Sequence, residues 1–197
     1  MNVLTSLPMS QMDLRECGSL LLRPMMELGL GFVDQAGVQH KLYELSGGAP
    51  NRIQMYCRAI IEILADARRS LVTVEDCVNA PTVDWVQTET VNWYRESTTE
   101  LEKIVAGVAA FRLPCKDFEL VAFVEHFLPS LSSQSIHMEV LDLTIADILT
   151  RRADKRLAFS FPGLIELVRP HDDLRESVSF LRQQLRRWLQ TQKLEHI

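Results

Sequence analysis

No stretch of this chain reads G-x-x-x-x-G-K-S/T, the glycine-rich loop whose backbone amides cradle phosphates, so the chain carries no nucleotide engine of that kind. Serine-hydrolase elbows of the G-x-S-x-G type and H-E-x-x-H metal pairs are also missing, which removes the usual routes to nucleophilic and zinc chemistry. The four cysteines, Cys17, Cys57, Cys77 and Cys115, form no C-x-x-C pair and lie far apart. Neither a zinc cage nor a disulfide framework is expected from them; buried, reduced thiols are. The five histidines (His40, His126, His137, His171 and His196) are scattered singly, as surface or hydrogen-bonded residues rather than ligands. No apolar run approaches the ~18 residues that a membrane span requires, and no charged start followed by an apolar run marks a leader. A cytoplasmic protein without membrane contact is expected. The net charge of −5 supplies no global pull toward nucleic acid or anionic lipid, although a local patch can act against it.

What is present is helix. With 47% hydrophobic residues over 197 positions, the chain can bury one core or two small ones. Ser10 and Asp13 approximate a capping box, followed by Leu14, Cys17, Leu21, Met25 and Leu28 at helical spacing. Pro24 is expected to kink or split that helix. Asp34 caps a second helix with Val38, Leu42 and Leu45 on one face, closed by Gly47-Gly48. Glycine tolerates the left-handed backbone that ends a helix, and Pro50 is pre-set for the first turn of the next. That third helix carries Ile53, Tyr56, Ile60, Leu64 and Ala67, with Arg52 projecting from its start. Thr73 with Asp76 caps a short fourth helix from Val74 to about Asn79.

The stretch from Pro81 to about Val91 has weak periodicity and reads as a connector and candidate hinge. Helical patterns resume at Asn92 (Leu101, Ile104, Val105, Val108, Phe111), again from Asp117 (Phe118, Val121, Val124, Phe127), and again from about Ile136 (Val140, Leu141, Ile145, Ile148). Two short extended segments, 149–152 and 156–161, then flank Ala153-Asp154-Lys155 as a hairpin. A last helix from about Asp172 sets Val178, Leu181, Leu185 and Trp188 beside Arg175, Arg182, Arg186 and Arg187; Asp172-Asp173 suits its positive start. Three helices and a β-hairpin follow the order of a winged helix-turn-helix. Its third helix would bear Glu139, Asp142 and Asp147 without Lys or Arg, an unfavourable face for a phosphate lattice. Its wing gathers Arg151, Arg152, Lys155 and Arg156.

The segments Leu7-Pro8-Met9-Ser10, Leu22-Arg23-Pro24-Met25-Met26-Glu27-Leu28-Gly29, Leu45-Ser46-Gly47-Gly48-Ala49-Pro50 and Val72-Thr73-Val74-Glu75-Asp76 resemble the helical lid of AAA+ and related STAND-type P-loop ATPases. In such proteins a winged helix often follows the lid, and Arg156-Leu157-Ala158-Phe159-Ser160-Phe161-Pro162 resembles the last strand of its wing. The resemblance implies a mainly α chain: a four-helix lid at 1–80, a connector at 81–94, a winged helix at 95–170 and a C-terminal helix at 171–197. It also implies that Pro50 and Arg52 occupy the lid turn where many members carry a nucleotide-sensing arginine. The core with its phosphate loop is absent, so the chain is expected to be no enzyme by itself and part of a longer ATPase, the alternative being a lid and winged helix that stand alone. It would hold no cofactor, with ATP and magnesium belonging to the parent. Two functions follow: a regulatory portion that relays lid movement and docks a protein partner or the missing core, or a module that binds DNA through Arg151, Arg152, Lys155 and Arg156.

Overall fold

The computed structural model describes residues 12–195, and these form two compact units, divided at Thr90 and Val91. Ser10 lies outside the described residues, and the cap it was assigned belongs to Asp13. The Asp13 carboxylate accepts the Glu16 amide at 2.8 Å, and Glu16 returns the contact to the Asp13 amide at 2.8 Å. This reciprocal box opens α1 (Leu14–Glu27). Pro24 does not split α1, which continues to Glu27. Cys17, Leu21 and Met25 are buried as their spacing requires, whereas Leu14 and Leu28 emerge at the two ends.

Asp34 caps α2 (Gln35–Ser46), and Gly47 ends it in the left-handed region. Proline stands at the first position of α3 (Pro50–Asp66). Thr73 and Asp76 form the capping box of α4 (Val74–Asn79). Val38, Leu42, Ile53, Tyr56, Ile60, Leu64 and Cys77 close one core with the α1 stripe; Ala67, past the end of α3, is exposed. Two short strands, β1 (Gly31–Phe32) and β2 (Leu71–Val72), pair in parallel, Gly31 with Leu71 and Phe32 with Val72. A strand this short has no alternation for a sequence pattern to reveal.

The segment read as a connector is helical. A 3-10 turn (Ala80–Thr82) leads into α5 (Asp84–Ser97), which gives Val86 to the core of the first unit and Tyr94 to that of the second. The helix expected from Asn92 onward is two helices, because Thr99 and Glu102 build a capping box that starts α6 (Glu100–Ala109). The Thr-x-x-Glu spacing at 99–102 was a legible signal for that break.

In the second unit α6 is buried almost all round, from Leu101 through Ala109 apart from Lys103. Around it pack α7 (Asp117–Phe127), α8 (Ser133–Ile145) and α10 (Leu174–Glu195). The approach of α10 is close: a Cβ built on Gly107 would lie 2.9 Å from a Leu181 methyl. After α8 come β3 (Leu149–Arg151) and β4 (Leu157–Phe159), antiparallel, with Leu149 opposite Phe159. Cys115 adds a single bridge to Leu157, and a short helix α9 (Leu164–Val168) follows the hairpin. Neither was expected from the sequence. The faces of two helices are also rotated from expectation. On α7 it is Leu120 and Val124 that are buried, with Phe118 68% exposed. On α8 Ile136, Val140 and Leu143 face inward, leaving Leu141 and Ile145 outside. Trp188 is half-buried against the core of this unit.

Candidate functional site

The junction between α2 and α3 is built by hydrogen bonds rather than by composition alone. Ser46 is fully buried; its hydroxyl accepts the Gly48 amide at 3.2 Å and donates to the Tyr43 carbonyl at 3.3 Å. The Gly48 carbonyl accepts the Met12 amide at 2.9 Å, tying the start of the described chain to this turn. At Gly48, φ is +76° and a Cβ would sit 2.6 Å from the Met12 carbonyl oxygen, so glycine is required twice over.

Arg52 does not project. It is 5% exposed, because Arg52, Tyr56 and Ala59 follow one another at helical steps along the buried side of α3. Its backbone amide donates to Asn51 Oδ1 at 2.9 Å. Burial pushes the Tyr56 hydroxyl above its ordinary pKa, and the positive charge of Arg52 pulls partly against that. Pro50 is half-buried at the head of the same helix.

The hairpin brings Arg151, Arg152, Lys155 and Arg156 to one exposed turn, but not as four free cations. Arg151 grips Asp117 of α7 through both terminal nitrogens, one at 2.9 Å. Arg156 lies 3.7 Å from Asp154 within the turn itself. The turn is tight: Lys155 takes a φ of +63°, and its amide donates to the Arg152 carbonyl at 2.9 Å.

On α8, Met138, Leu141 and Ile145 share one outer line and are 48%, 46% and 66% exposed. Glu139 and Asp142 flank that line, while Asp147 lies beyond the helix with a left-handed φ of +57°. The carboxylates of Glu102, Glu139 and Asp142 approach within 4.8 Å of one another. Glu102 is already engaged by the Thr99 amide at 2.5 Å. Burial first, then the charges of Glu102 and Asp142, raise the Glu139 carboxyl above its ordinary pKa. This is the set of carboxylates, among the described residues, in which a cation could find three oxygen ligands.

The thiols are chemically quiet. Burial pushes Cys17 up to about 11 and Cys57 and Cys77 up to about 12, and raises Cys115 as well; all four are free. Little thiolate exists near neutral pH, so nucleophilic work is not theirs.

No protein-family model matches this chain, and no curated protein does. Among solved structures, it is similar in outline to RuvB from Thermotoga maritima. One RuvB variant shares 13% identity at a TM-score of 0.39, over 82% of this chain and 51% of that one. Another structure, described as the RuvB Holliday junction branch migration motor, shares 13% identity at a TM-score of 0.37, over 76% and 47%. The chain thus spans about half the length of the structures it matches. No helix among the described residues is long and apolar enough to cross a membrane.

Proposed function

We propose that this chain is the non-catalytic lid and winged-helix portion of an AAA+ or STAND-type ATPase, relaying nucleotide state and docking a protein. The observation that carries the docking function is the outer face of α8. In the helix-turn-helix arrangement the recognition helix is the one laid against DNA. Here that helix presents Met138, Leu141 and Ile145 between acidic flanks, a surface suited to another protein and repulsive to phosphates. The Cys115–Leu157 bridge and the hairpin after α8 support the winged-helix assignment, and the helix order of the first unit supports the lid. In this reading Pro50 and Arg52 would stand at the lid turn, and the burial of Arg52 limits any direct reach to nucleotide. In the parent, rigid-body movement of the lid would pass to the winged helix, and ATP with magnesium would sit on the missing core.

The competing reading, DNA binding through the hairpin, draws support from exposed Arg152 and Lys155. The pairing of Arg151 with Asp117 and of Arg156 with Asp154 weakens it. Titration of labelled duplex DNA separates the two, followed by anisotropy at low salt and near physiological salt. The proposal expects no saturable binding at either. Tight binding that falls steeply with salt and vanishes in the variant Arg152→Glu with Arg156→Glu would replace it with the DNA reading.

A further inference from the structure

On the hairpin two of the four cations are paired, whereas α10 carries a row of arginines with no carboxylate partner among the described residues. Arg175, Ser179, Arg182 and Arg186 succeed one another at steps of three, four or a multiple of a turn, so they share one face. That face forms one wall of a groove of about 550 Å³, completed by Phe127 at the end of α7 and by Val178 and Gln183. Among the described residues, none of the three arginines pairs with a carboxylate. Arg182 is held in place: its Nε donates to the Phe127 carbonyl at 2.7 Å, which spends one of five donors and leaves the rest of the fork.

We propose that this groove binds an acidic amphipathic helix of a partner protein. Guanidinium groups match carboxylates in bidentate geometry, and Arg175 to Arg186 spans about 16 Å, three turns of a docked helix. The floor decides the class of ligand. Phe127 is half-buried and leaves part of its ring open to the groove over the buried Val178, apolar surface that an aliphatic side chain would cover and a phosphate backbone would not. Charge points the same way. Asp172, Asp173 and Glu176 stand exposed at the head of α10, where a continuous phosphate row would be repelled. A short peptide places its carboxylates only opposite the arginines. This groove is separate from the α8 face, and its test does not depend on the reading proposed above.

The test uses the full chain and a fluorescein-labelled peptide with Glu at successive helix turns flanking a Leu ridge, read by anisotropy. Two other probes run beside it: the same peptide scrambled, and a labelled DNA duplex. Saturable peptide binding is expected, weaker by about tenfold or more for the scrambled peptide and for the variant Arg175→Glu with Arg186→Glu. The variant Ser179→Trp, which fills the groove and keeps every charge, is expected to lose binding to a similar extent. Circular dichroism confirms that each variant is folded, and Ser179→Trp decides the matter if the double charge variant is not. Equal binding of the scrambled peptide, duplex binding as tight as the peptide's, or unchanged binding by folded Ser179→Trp would each overturn the proposal.

Discussion

Single residues set the conditions under which this fold holds. Gly48 has both a left-handed φ and a backbone oxygen in the space of a Cβ. Gly48→Ala should therefore cost about 1–2 kcal/mol from φ alone, with the clash adding to it, and a lowered urea midpoint would register the loss. Asp76 is nearly buried. Burial would raise its pKa, but the Arg69 side chain, then the Thr73 amide and hydroxyl, outweigh burial and hold it below 3.8. A depressed carboxyl contributes stability above its unfolded pKa and loses it as pH falls through the folded value. Arg69→Gln should accordingly be less stable than the parent at neutral pH, with the gap closing in thermal melts below about pH 3.8. Glu139 has the opposite sign. Its raised pKa means that the ionised form is disfavoured in the fold, a penalty absent below 4.5 and complete above the folded pKa. Glu139→Gln should raise the melting temperature at neutral pH and make no difference in acid. If that gain is missing at low salt, the crowding with Glu102 and Asp142 has no energetic weight.

At the scale of elements, caps and breakers were legible where side chains act on their own backbone. Asp34, Pro50 and the Thr73–Asp76 box mark helix starts that the structure reproduces, since such contacts span three residues or fewer. The apolar stripes of α7 and α8 were not legible. Both helices are apolar on more than one side, so periodicity could not choose which side meets α6. That choice puts Leu141 and Ile145 outside, on the face proposed to dock a partner. Replacing them together, Leu141→Ser with Ile145→Ser, should change stability by no more than about 0.5 kcal/mol, as for surface positions generally. Leu143→Ala, a few residues away and fully buried, should cost about 2–5 kcal/mol in the same denaturation experiment.

For the whole molecule, the proposed division of labour leaves hydrolysis to a core elsewhere. Calorimetry with ATP and magnesium should show no heat of binding, and micromolar affinity would contradict the reading. The sequence by itself determined the helical class, most of the helix starts, the α2–α3 turn and the hairpin, because each depends on contacts close along the chain. It also determined that no phosphate loop is present. Only the tertiary structure decided that Arg52 is buried, that Arg151 is spent on Asp117, that Cys115 joins Leu157, and that α8 turns Met138, Leu141 and Ile145 outward. Each of those outcomes depends on which distant segment packs against which face, and local spacing carries no information about that partner.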